Sequence, residues 1–166
     1  ISNDPFNSVI DLAAYGVAYI PNIIGINSDS VKTESSFYLD VWLENNEDCL
    51  GFQFDLIIPN GFIFLDSIIS LDAINNFETQ YSLIDSSTLR VFSYSIDQIS
   101  KPWGKSGVLK LLFNSPESSG IFNFNFENIL IGNSSSENIY SSHTDGFVFV
   151  RTIEARNIRI DDKLNN

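Results

Sequence analysis

Positive charge is scarce in this sequence: nine Lys plus Arg stand against 21 Asp plus Glu, for a formal net charge of −12. Binding a phosphate backbone needs a basic patch, so a nucleic-acid partner is excluded, and adsorption to an anionic membrane is disfavoured for the same reason. Histidine occurs once, at His143, which rules out a multi-histidine zinc site. Cysteine also occurs once, so no disulfide can form within the chain. Cys49 lies in an apolar run and is expected to be a buried, inert thiol. No run approaches the ~18 apolar residues of a membrane-spanning helix. Methionine is absent, even at position 1, and no signal-peptide pattern is visible; the chain reads as an excised piece of a longer protein.

Phenylalanine is abundant: 14 Phe against two Trp, with 43 % hydrophobic residues, suits a strand-rich core in a single domain. Phe37, Leu39, Val41 and Leu43 alternate with Tyr38, Asp40, Trp42 and Glu44, the period of a half-buried strand. The next expected strand, over 49–58, sets Phe52, Phe54, Leu56 and Ile58 on one face and Gly51, Gln53 and Asp55 on the other, before a Pro59-Asn60-Gly61 turn. Further strands are expected over 62–65, 68–71, 80–84, 89–95, 108–113, 121–131 and 146–151. The only helical candidate is a short helix over 9–20. These elements predict an all-β jelly-roll sandwich of about nine strands, with the domain over 22–151. Residues 1–21 form an N-terminal extension, and residues 152–166 a C-terminal extension or linker.

Enzyme signatures fail on inspection. Gly104-Lys105-Ser106 resembles the end of a phosphate-binding loop, but position 99, where that loop needs glycine, is Ile99. There is no Gly-x-Ser-x-Gly elbow and no His-Glu-x-x-His helix. His143 is expected in an exposed turn. Paired carboxylates act in catalysis only where a pocket separates their pKa values, and here the acids fall in turns and on the polar faces of strands. Calcium is the candidate ion, with oxygen ligands clustered at Glu44, Glu47 and Asp48 and again at Asp161-Asp162. Trp42, Tyr38 and Tyr94 by strand parity, and Trp103 in a loop, are candidate exposed aromatics for stacking on a polysaccharide. A sequon, Asn133-Ser134-Ser135, would matter only in a eukaryotic secretory setting.

An ordered set of segments from Ile23 to Arg151 resembles the bacterial cohesin family. Phe37-Tyr38-Leu39-Asp40-Val41-Trp42-Leu43-Glu44-Asn45 is similar to its opening strand, with its Leu-x-Asn turn. Leu50-Gly51-Phe52-Gln53-Phe54-Asp55-Leu56 is similar to its Gly-Phe-Gln strand, and Gly107-Val108-Leu109-Lys110-Leu111-Leu112-Phe113 to a later one. The resemblance implies a nine-stranded jelly roll in a secreted or surface protein, docking a calcium-dependent partner module, dockerin, through one sheet face. It places the partner-binding face at Gly51, Gln53 and Asp55, with Ser93 and Ile96 on the mid-domain strand. Members of the best-known type carry Asn and Asp where this chain has Gly51 and Gln53. The alternatives are a domain that self-assembles with neighbouring copies in a surface layer or filament, and a carbohydrate-binding module.

Overall fold

The computed structural model describes residues 21–152. The helical candidate over 9–20 and the acidic pair Asp161-Asp162 lie outside the described residues. Within them the chain forms eleven strands, not nine: β1 Ile23–Ile26, β2 Asp29–Lys32, β3 Ser36–Asn45, β4 Gly51–Ile57, β5 Ile63–Ser70, β6 Phe77–Asp85, β7 Thr88–Ser95, β8 Gly104–Asn114, β9 Gly120–Gly132, β10 Ser142–Thr144 and β11 Gly146–Arg151. A single 3-10 turn, Asp72–Ile74, leads from β5 towards β6.

The strands make two facing sheets, one ordered β10-β1-β3-β8-β5 and the other β2-β11-β9-β4-β7-β6. The jelly-roll sandwich expected from the sequence is therefore the fold. The difference in strand count has a local cause. β1, β2 and β10 are three or four residues long, too short for alternation to declare them. Conversely, the two runs expected over 62–65 and 68–71 are one strand, β5, interrupted by a register shift between Phe64 and Ile68. Asp66 sits in that irregularity with a φ of 52°, so the alternation of β5 breaks there and one strand looks like two.

Alternation places the core. Phe52, Phe54, Leu56 and Ile58 are all buried, as their spacing predicts. They meet Leu39, Val41 and Leu43 of β3, Leu109, Leu111 and Phe113 of β8, and Phe124 and Phe126 of β9. Phenylalanine edges fill the middle: Phe54 meets Phe126 edge-on with centroids 4.9 Å apart, and Phe62 meets Phe124 at 5.1 Å. Cys49 is fully buried, and burial pushes its thiol up to about 11, so the inert thiol expected from its apolar setting is found.

Candidate functional site

The outer face of β6, β7, β4 and β9 is open to solvent at one end of the sandwich. In-register pairing sets Gly51 of β4 against Tyr94 of β7 on one side and Gly132 of β9 on the other. Leu89 and Val91 point into the core, so Arg90, Phe92 and Tyr94 point out. Phe92 and Tyr94 stack with centroids 5.1 Å apart, and Phe92 is 42 % exposed. Leu130 of β9, 47 % exposed, faces them across β4. Together with Leu50, Gly51, Gln53 and Gly132 these side chains line a shallow hollow of about 520 Å³.

Glycine at position 51 keeps the hollow open. A Cβ there would stand 3.0 Å from the Ser93 carbonyl oxygen and 3.4 Å from the Tyr94 Cβ, crowding the aromatic pair. The rim is polar. Gln80 Nε2 and Tyr94 Oη donate to the two carboxylate oxygens of Glu78, at 3.0 and 2.8 Å. Those hydrogen bonds, Gln80's first, hold the Glu78 carboxyl below its usual range, and the bond to Glu78 raises the Tyr94 phenol.

The residues singled out in the sequence divide. Gly51 and Gln53 lie at this hollow. Asp55 is on the same side of β4 but is only 3 % exposed, hydrogen-bonded to Arg90 and Asn128. The Arg90 hydrogen bond, opposed by burial and aided by Asn128, holds its carboxyl below the usual range. Ser93 is a correction: it points inward, fully buried, with its hydroxyl 2.9 Å from that of Thr79. Its neighbours Phe92 and Tyr94 occupy the outer face instead. β7 carries apolar residues on both parities, with Arg90 on one and Ser93 on the other, so alternation alone could not orient it. Ile96 lies past the end of β7 and is 63 % exposed.

Trp42 is likewise corrected. It is 8 % exposed, because Gly25 on the neighbouring strand leaves room for the indole and Lys105 Nζ lies 3.5 Å from a ring centroid. Tyr38 is 41 % exposed on the same strand, and Trp103 is 70 % exposed on the loop before β8. That loop is pinned from beneath. Lys101 is fully buried and its ammonium donates to Asn45 Oδ1, Pro102 O and Gly104 O at 2.7, 2.9 and 2.8 Å. Burial lowers its pKa.

His143 lies on β10 and not in a turn. Its Nδ1 is 2.7 Å from the Tyr140 hydroxyl and its Nε2 3.5 Å from Asp145 Oδ1. The same Asp145 oxygen accepts from the Phe126 amide at 2.8 Å, so the cluster ties β10 to β9. Glu44, Glu47 and Asp48 do not converge; among the described residues no group of three or more His, Cys, Asp or Glu side chains is arranged to hold a metal ion.

No protein-family model and no curated protein matches the sequence. Solved structures do match the fold. A non-cellulosomal cohesin from the archaeon Archaeoglobus fulgidus superposes with a TM-score of 0.69 at 14 % identity, over 80 % of this chain and 92 % of that one. The fold is that of a cohesin domain. A type I cohesin–dockerin complex from Clostridium thermocellum gives a TM-score of 0.70 at 12 % identity, over 80 % of this chain and all of that one. A cohesin module from a Clostridium perfringens family 33 glycoside hydrolase gives 0.68 at 14 %, over 80 % and 98 %.

Proposed function

We propose that this cohesin-fold domain is a non-catalytic docking module of a secreted or cell-surface protein. It binds a dockerin-like partner module on the outer face of β4, β7 and β9. The observation that carries this reading is the open hollow walled by Phe92, Tyr94 and Leu130 above Gly51. Apolar side chains at a water-exposed sheet face cost solvation free energy that a partner relieves, and large aromatics concentrate binding energy. The absence of side chains at Gly51 and Gly132 lets an apolar ridge, such as a helix face, approach the sheet closely. Similar structures solved in complex with dockerins support the same class of partner.

The reading is tested by calorimetric titration of the domain against a panel of dockerin modules, with calcium and with chelator, alongside the variants Phe92→Ser and Leu130→Asp. Binding that weakens about 30-fold or more in each variant is expected of a central contact. Unchanged binding in both variants would reject this face. Binding to polysaccharide without any protein partner would replace docking with carbohydrate recognition. Concentration-dependent assembly of the domain alone would favour a self-assembling structural role.

A further inference from the structure

A second apolar surface lies on the other flank of the same sheet, apart from the docking face. Phe147 and Phe149 of β11 are 46 % and 45 % exposed, and Ile121 of β9 is 69 % exposed. In-register pairing places Phe149 beside Ile121 on one side and Ser30 of the edge strand β2 on the other. With Ser28, Asp29 and Ser30 they line an open hollow of about 610 Å³.

The cations at this place are distinctive. Lys32 and Arg151 are register partners at the end of the β2–β11 pair, on the same face as Phe149. Among the described residues neither side chain makes an ion pair, hydrogen bond or ring contact. Every other described cation is engaged: Arg90 with Asp55, Lys110 with Asp40, Lys105 on Trp42, and Lys101 in its buried cage. In a chain of net charge −12, two unengaged cations beside three exposed apolar side chains define a surface for an apolar, anionic segment.

The sequence contains such a segment. Residues 1–20 carry Phe6, Val9, Ile10, Leu12, Val17 and Ile20, with Asp4 and Asp11 as their charged side chains and no Lys or Arg. They join β1 at Ile23, and Ser28, at the rim of the hollow, is only five residues further along. That separation spans at most about 18 Å, whereas 20 residues reach up to about 70 Å. The edge of β2 away from β11 is unpaired. The C-terminal residues 153–166 also adjoin Arg151, but their cations Arg156, Arg159 and Lys163 offset the acids Glu154, Asp161 and Asp162. That segment therefore brings no net negative charge to Lys32 and Arg151, whereas residues 1–20 bring only acids. A segment from another copy would have to overcome the repulsion of two chains of charge −12, whereas the tethered one is held at high local concentration.

We propose that residues 1–20 fold back over the β2–β11 flank of their own domain, covering Ile121, Phe147 and Phe149 and presenting carboxylates to Lys32 and Arg151. The flank is then an intramolecular clasp rather than a second docking face.

Chymotrypsin tests this in the full chain, because Phe6, Tyr15 and Tyr19 are cleavable only when the segment is released. Two variants are compared with the parent: Phe147→Thr/Phe149→Thr, which removes the apolar cover, and Lys32→Glu/Arg151→Glu, which reverses the charge. Thermal melting confirms that each variant is folded. Cleavage within residues 1–20 tracks the released population and is expected to be about tenfold faster in both variants than in the parent. It should also be independent of protein concentration. Equal rates in parent and threonine variant overturn the clasp, and so does protection that grows with protein concentration, which assigns the segment to a neighbouring copy. Acceleration in the threonine variant alone overturns the part given to Lys32 and Arg151.

Discussion

Asp55 and Arg90 are register partners on β4 and β7, and Arg90 donates from Nε and Nη2 to the two carboxylate oxygens of Asp55, each at 2.7 Å. Asn128 donates to the same carboxylate from β9, also at 2.7 Å. One buried acid thus ties the outer surfaces of three adjacent strands, beside a register shift between Gln53 and Asp55 where the ladder is irregular.

Acid should weaken this tie. Because the folded carboxyl titrates below its ordinary value, its contribution is fully present above the unfolded pKa of about 3.9 and is lost as pH falls through the lower folded value. Asp55→Asn is expected to cost about 1–3 kcal/mol near neutrality. The difference from the parent should shrink as pH drops below about 4. Urea unfolding over that range measures it, and a gap that stays constant with pH would refute the assignment.

Lys101→Met should be harmful although it places an apolar side chain in a buried position. It would leave Asn45 Oδ1 and the Pro102 and Gly104 carbonyls without their shared donor. A loss of about 2–3 kcal/mol is expected from such orphaned acceptors. The Trp103 loop should also loosen, which hydrogen exchange across residues 102–107 would detect. Stability within error of the parent would show that the ammonium costs as much to bury as its hydrogen bonds return.

Gly25→Ala sets a methyl group against the Trp42 indole, which the glycine admits. The expected outcome is a loss of about 1–3 kcal/mol. Trp42 emission should shift to the red as the ring swings towards water. An unshifted spectrum would mean that the strands separate instead.

Cys49 offers a clock for global opening. Its buried thiol, pushed up to about 11, should resist aromatic disulfide reagents at pH 8 by a factor of about 10³ or more relative to the unfolded chain. Labelling should then rise in proportion to the unfolded fraction as urea is added. Rapid labelling without urea would reveal local opening at the Asp48–Leu50 turn.

How much was legible in the sequence depended on whether one strand or several set the outcome. Phe52, Phe54, Leu56 and Ile58 announced their face because polar residues alternate with most of them. Leu89 to Tyr94 has two apolar residues and one polar residue on each side, so only pairing with β4 shows that Phe92 faces out and Ser93 in. Trp42 has the parity of an exposed residue; its burial depends on Gly25, 17 positions away in sequence and adjacent in the sheet. Asp55 sits on the correct side of β4 yet is sealed by Arg90 and Asn128, whose approach no local pattern encodes. The segments resembling cohesins located the strand that carries the hollow, but the residues that wall it, Phe92, Tyr94 and Leu130, came from strand pairing.

The first two strands run continuously from one sheet into the other, β1 lying parallel to β10 and β2 parallel to β11. Tension applied between Asn22 and Arg151 therefore draws β2 and β11 in opposite directions along their shared axis. The inter-strand bonds linking Asp29–Lys32 to Val148–Arg151 are loaded together, in shear, and cannot be peeled apart one at a time. A domain stretched from both of its ends would resist rupture through this pair of short strands.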